Sequence, residues 1–269
     1  MVDLKIKFSK YDYFGILIPG ILFLIFITLL IPFEFLVSLN LFFSDLENLL
    51  YFLIFIMGLG LIVITYIFGL LLSSIGRWLI EDKIIINFLE YPSHNLFFQE
   101  ESLKNESNEI LKKSSGVKKK NQKIKKRNSA KKLFNKYRKP YSVSFINSFN
   151  NSFKDFFSEN DYNEEDRFKL CFTIIKEKCP VTFSRMNTFI ALYGLHRTLS
   201  ITFIITFFIY LFYGLYIGNF LLILLIFSLP LLSLFFFSNY LKFLRAYSDE
   251  VFRTFYIYSI EKKIEGKEQ

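Results

Sequence analysis

Five hydroxyls recur along one stretch of this chain: Thr198, Thr202, Thr206, Tyr210 and Tyr213, at steps of four, four, four and three residues. On a helix that spacing puts them on one face. A second stretch carries Gly58, Thr65, Gly69, Ser73 and Gly76, a comparable stripe of small residues. In apolar surroundings such stripes have two uses. Small residues let helix backbones approach closely while Ser and Thr bond across helices. Alternatively, a hydroxyl face lines a water path, and without charges or rings of carbonyls such a path conducts with modest selectivity. Packing inside the membrane stays open for both stripes. We assign the Thr/Tyr face as the pore lining and the Gly/Ser face as the contact between protomers.

A third constellation is ionic. Residues Lys112 to Lys139 hold fourteen Lys and Arg and no acid, which leaves nineteen bases against twenty-four acids elsewhere, so the whole net charge of +9 originates here. The candidate residues for an anionic ligand are Lys118, Lys119, Lys120, Lys125, Lys126, Arg127, Lys131, Lys132, Arg138 and Lys139. Three roles fit: lying on anionic lipid, at about 1 kcal/mol per base near the surface; binding nucleic acid or a nucleotide through counterion release; or acting as a solvated spacer. Phe134, Tyr137 and Tyr141 interleave with the bases at the C-terminal end and offer rings for stacking. Lys outnumbers Arg twelve to two in this run, which argues against bidentate phosphate or base recognition.

Catalysis finds little footing. There are two His, His94 and His196, and two Cys, Cys171 and Cys179, whose spacing of eight fits neither a zinc site nor a redox pair. Walker, G-x-S-x-G and H-E-x-x-H motifs are missing. No carboxylate interrupts an apolar run, so the acids that mark proton-coupled pumps are missing too. No enzyme activity, metal or cofactor is expected.

The elements that must position these residues are apolar and long. Between Arg197 and Lys242 lie forty-four residues, Thr198 to Leu241, without a charge. As one helix they would extend about 66 Å, against a hydrocarbon core of about 30 Å. With Gly214, Gly218 and Asn219 at the middle, the run folds back as a hairpin, roughly Leu199 to Ile217 and Phe220 to Phe237. Tyr13 to Phe33 is a first uncharged run, too long for the core of a signal peptide. Asn48 to Gly76 is a second. Neither hairpin loop contains Lys or Arg, whereas the N-terminus, the middle and the C-terminal segment do, so both termini and the middle are expected in the cytoplasm.

Between the hairpins, Arg77 to Glu90 reads as an amphipathic helix and Ser93 to Lys139 as a polar segment, expected to stay disordered without a partner. Phe145, Ile146, Phe149, Phe153, Phe156 and Phe157 then mark a helix with a Phe seam. Asn163 to Lys178 reads as a second helix, acidic at its start and basic at its end, burying Phe168, Cys171, Phe172 and Ile175. Pro180 opens a third that has no stop signal before the membrane, and Lys242 to Lys263 continues beyond the last run.

Four strings also carry a resemblance: Tyr11-Asp12-Tyr13-Phe14-Gly15-Ile16-Leu17-Ile18-Pro19-Gly20, the stretch Gly69 to Arg77, Leu192-Tyr193-Gly194-Leu195-His196-Arg197, and Tyr247-Ser248-Asp249-Glu250-Val251-Phe252. Together they resemble bacterial four-span membrane proteins found beside phage-defence genes, including the channel effectors of Hailong-type systems. The resemblance implies an oligomeric channel that depolarises the inner membrane when a nucleic-acid or nucleotide signal from a partner enzyme changes. It covers the membrane part and its edges, and the Lys-rich insert has no counterpart in it.

The expectation is therefore an all-α integral membrane protein of two transmembrane hairpins, 1–76 and 198–241, with a helical cytoplasmic domain at 77–197 and a C-terminal helix at 242–269. Its expected function is a homo-oligomeric (tetramer or larger) inner-membrane ion channel acting in abortive infection, gated by an anionic ligand. A non-conducting membrane anchor or sensor for a cytoplasmic partner is the alternative.

Overall fold

The computed structural model describes residues 9–30, 50–89, 91–97, 137, 139–157, 162–217 and 226–265, with backbone alone at 50–55, 88 and 164. All regular elements among these are helical. A π-helical turn, Asp12–Leu17, leads into α1, Ile18–Thr28. Next come α2, Leu50–Gly76, and a π-helical continuation, Arg77–Leu89. The remaining elements are α3, Pro92–Phe97; α4, Val143–Phe157; α5, Glu164–Lys178; α6, Pro180–Ile217; and α7, Ser228–Glu265. They divide into two compact units, Met1–Trp78 with Ile190–Tyr240, and Leu79–Phe189 with Leu241–Gln269.

In the first unit, α1 and α2 touch backbone to backbone. A Cβ on Gly20 would lie 2.1 Å from the Thr65 carbonyl oxygen, and one on Gly69 would lie 2.1 Å from that of Ile16. Tyr11 meets Ser73 further along. The partner numbers fall on one side as they rise on the other, so the two segments are antiparallel. The same holds for α6 and α7: Tyr193 meets Tyr240, His196 meets Phe236, Ser200 meets Ser233 and Phe207 meets Phe227. Ser200 and Ser233 hold that pair doubly, each hydroxyl donating to the other residue's carbonyl at 3.1 and 2.8 Å. Phe26 packs its ring edge on Phe203 and Tyr210, bringing α1 onto α6.

Two helical stretches, Ile56–Phe97 and Pro180–Ile217, are long and apolar enough to cross a membrane. Their most apolar windows are only 22% and 33% buried. The core helix of a water-soluble protein turns its apolar side inward, but here Leu61, Ile62, Phe212 and Leu215 are all more than half exposed. The first expected span is described through Leu30, and its helical part, Asp12–Thr28, is shorter. The two expected hairpin loops lie largely outside the described residues.

The second unit is built on aromatic rings. Phe149 and Phe153 from α4, Cys171 and Ile175 from α5, Met186 from α6, and Val251, Phe252 and Phe255 from α7 form its core with Leu96. The three-and-four spacing of the seam produces this, since it stacks Phe145, Phe149 and Phe153 along one side. At α5 the Asn163 side chain accepts from the Asp166 amide at 2.9 Å, capping the helix where its acids begin. α6 runs unbroken from Pro180 to Ile217 and α7 from Ser228 to Glu265, as the missing stop signals indicate. His94, within the segment Ser93 to Lys139 expected to be disordered, is instead in α3. Of the segment expected to be disordered, 98–136 and 138 lie outside the described residues.

Candidate functional site

Thr198, Thr202 and Thr206 are enclosed by the chain itself, at 0, 0 and 1% exposure. Thr198 donates to the Gly194 carbonyl at 2.9 Å and Thr202 to that of Thr198 at 3.0 Å, the back-bonding expected of threonines inside a helix. The Thr206 hydroxyl is buried with no hydrogen-bond partner among the described residues. Tyr210 donates to the Phe26 carbonyl at 2.8 Å, near the end of α1, where the helix leaves its own carbonyls without amide partners. Tyr213 is half-buried. The upper part of the stripe assigned to a pore thus packs within one chain, because the threonine methyls and hydroxyls are small enough to let neighbouring helices close over them.

The stripe assigned to protomer contacts is likewise used inside the chain. Thr65 and Gly69 face α1 as described above, and Ser73 bonds to Tyr11. A Cβ on Gly76 would lie 3.5 to 3.6 Å from Ile201 and Arg197. Gly58 differs, with nothing among the described residues within 4 Å of a Cβ placed there. Among the ten basic residues, Lys139 alone belongs to the described residues and is exposed; the other nine, Lys118 to Arg138, lie outside them.

What the spacing did not single out is the arginine at the head of the hydroxyl stripe. Arg197, read as the charge bounding an apolar run, is 2% exposed. Its Nη2 donates to Tyr11 Oη at 2.8 Å and to Ser73 Oγ at 3.0 Å, while those two oxygens are 3.2 Å apart. The Tyr11 ring is held between glycines: a Cβ on Gly194 would lie 2.3 Å from it and one on Gly15 3.1 Å. Three of the four strings that carry the resemblance converge on this one cluster. The signal available beforehand was their joint occurrence, with a Gly and an aromatic or hydroxyl residue in each.

The fourth string supplies the centre of the second unit. Asp249 Oδ1 accepts from Tyr141 Oη at 2.6 Å and from Arg253 Nε at 2.9 Å. The Arg253 guanidinium also lies over the Tyr141 and Phe145 rings, at 5.7 and 5.9 Å. Arg245 donates to the carbonyls of Tyr137 and Lys139, at 2.5 Å each, and so fixes the C-terminal end of the basic run. Burial, then the bond to Asp249, push the Tyr141 phenol well above its usual range. Burial does the same to the Cys171 thiol. Cys171 and Cys179 are both free, the first buried and the second half-buried. Among the described residues no group of three His, Cys, Asp or Glu could hold a metal ion.

These two shifts give a pH dependence with a definite sign. Above the ordinary values of 9.0 for Cys and 10.0 for Tyr, the unfolded chain releases protons that folded Cys171 and Tyr141 retain. The folded state then binds more protons, so stability falls as pH rises. Unfolding temperature followed from neutral to alkaline pH should decline through this range, and a Cys171→Ala, Tyr141→Phe double variant should decline less steeply. An equal slope in the double variant would remove these two groups as the cause.

Taken together, fold and sites define an all-helical protein with two helices fit to cross a membrane, a buried arginine among its apolar helices and a cationic helical unit. No family model, curated protein or solved structure matches the chain.

Proposed function

We propose that the chain is a four-span protein of the bacterial inner membrane, with both termini and the helical middle in the cytoplasm, working as a homo-oligomeric ion channel. In this proposal an anionic ligand, nucleic acid or nucleotide made by a partner enzyme, acts on the cytoplasmic part, and the response depolarises the cell in abortive infection. The observation that carries the membrane part is the exposed apolar surface of α2 and α6. Left in water, it would cost about 25 cal/mol per Å². The antiparallel pairing of Asp12–Thr28 with α2, and of α6 with α7, supports two hairpins. The distribution of Lys and Arg supports the orientation.

With Thr198, Thr202 and Thr206 folded inside, the surface offered to neighbouring protomers by the apolar part of α6 is mostly hydrocarbon, from Phe208, Phe212, Leu215 and Ile217. A lumen between such surfaces is closed to ions by dewetting, so in this proposal the described conformation is the non-conducting one, and opening must expose polar groups. The same burial favours the second reading, a non-conducting anchor or sensor, because it takes these hydroxyls away from any water path. Conductance of the purified protein in planar bilayers, growth on expression, and oligomeric state in detergent separate the two. A ring of four or more with ligand-dependent conductance supports the channel; a monomer that never conducts, together with normal growth on expression, overturns it.

A further inference from the structure

One cavity in the second unit is lined by more positive charge than its own hydrogen bonds use. It is open, about 630 Å³, and Lys139, Ser142, Lys242, Arg245 and Arg253 line it with Asp249. Four cations face one carboxylate, and that carboxylate is engaged by Tyr141 and Arg253. Arg245 is committed to two backbone carbonyls but keeps its charge. Lys139 and Lys242 are exposed and can reach inward, and Ser142 offers a hydroxyl. The surplus is three positive charges around a space large enough for a phosphate group and what it is attached to. Such a site selects a phosphate anion by charge and by donors from several directions.

We propose that this cavity binds a phosphate group, and that its source is the headgroup of an anionic phospholipid. Lys242 is the first charged residue after the forty-four-residue apolar run, so on the membrane reading above, on which the choice of source rests, the cavity opens at headgroup depth. Arg245 ties the end of the basic run to the same wall. Lipid bound here therefore sits against the Arg245 side chain that holds the Tyr137 and Lys139 carbonyls.

The test uses full-length protein in a neutral detergent, titrated with short-chain phosphatidylglycerol, short-chain phosphatidylcholine or inorganic phosphate, with unfolding temperature as the readout. Phosphatidylglycerol should raise it and phosphatidylcholine should not. The Lys139→Gln, Lys242→Gln double variant, which touches no hydrogen bond of the core, should need about twenty-five-fold more lipid, at about fivefold per base. A response to inorganic phosphate equal to that for phosphatidylglycerol overturns the lipid source and leaves the phosphate site. No response to either anion, or an unchanged response in the double variant, overturns the site itself. Membrane pelleting is scored separately: protein found in the supernatant that still responds to phosphate removes the membrane reading and not the site.

Discussion

Gly69→Ala is expected to destabilise the first unit by about 3 kcal/mol, whereas Gly58→Ala, eleven residues earlier on the same helix, is expected to be neutral or stabilising by up to about 1 kcal/mol. The chemical change is identical and the surroundings decide the sign. At Gly69 the new methyl would stand 2.1 Å from the Ile16 carbonyl oxygen and 2.9 Å from its Cγ2. The oxygen is backbone in a helical turn and cannot swing aside, so the two helices must separate by more than an ångström over several residues. That forfeits much of the dispersion contact along the seam, which falls steeply with such gaps. At Gly58 no described residue lies within 4 Å, and alanine gains helix propensity. Gly20→Ala should behave like Gly69→Ala, its methyl meeting the Thr65 carbonyl at 2.1 Å. The Gly20, Gly69 double variant should cost less than the two together, because the first methyl already opens the interface that the second needs opened. Unfolding temperature in detergent orders all four variants. If Gly69→Ala unfolds no earlier than Gly58→Ala, α1 and α2 are not packed through these glycines.

This pairing marks the limit of what could be read beforehand. The periodicities that place Phe149 and Phe153 on one side of α4, or Cys171 and Ile175 on one side of α5, also say where that side points, because polar residues occupy the other and water provides the contrast. In the apolar runs that contrast is missing. Spacing correctly groups Thr198, Thr202 and Thr206, or Thr65, Gly69 and Ser73, on common faces, yet a face of small or hydroxyl residues can meet a lumen, a neighbouring protomer or the chain's own next helix. In both stripes most of the face meets the chain itself. Arg197 was not singled out for a related reason. A charge at the end of an apolar run reads as the point where the run leaves lipid, and nothing local reveals a tyrosine 186 residues away to receive its hydrogen bond. The strings around Tyr11, Ser73 and Gly194 were visible; their convergence was not, since it depends on two antiparallel pairings at once. Asp249 was hidden in the same way, its partner Tyr141 being 108 residues distant.

Arg197→Met should leave the protein as stable as before, or more so, while Arg197→Lys should lower stability by about 2 kcal/mol. The order runs against charge conservation, and the cost of burying charge is the reason. Methionine fills most of the arginine's volume, removes a buried cation whose desolvation is costly, and leaves Tyr11 and Ser73, 3.2 Å apart, able to bond each other. Lysine has donors enough for the two oxygens that Nη2 now serves, but its compact ammonium is more strongly hydrated than a guanidinium and costs more to bury, on a side chain that is shorter. With stability unchanged in Arg197→Met, what the substitution removes is the arrangement that the arginine's hydrogen bonds impose. Three segments meet at Arg197, contributing Tyr11, Ser73 and the Gly194 backbone face, so its hydrogen bonds fix how α6 is rotated against the first hairpin. In the proposed channel that rotation decides whether Thr202 and Thr206 stay enclosed. Arg197→Met is therefore expected to fold and assemble normally and to have altered conductance or altered growth arrest, with the ligand response lost. Normal gating in this variant would make Arg197 a packing residue. Unfolding of Arg197→Met at lower temperature than Arg197→Lys would show that the buried charge itself, through its hydrogen bonds, holds the first unit together.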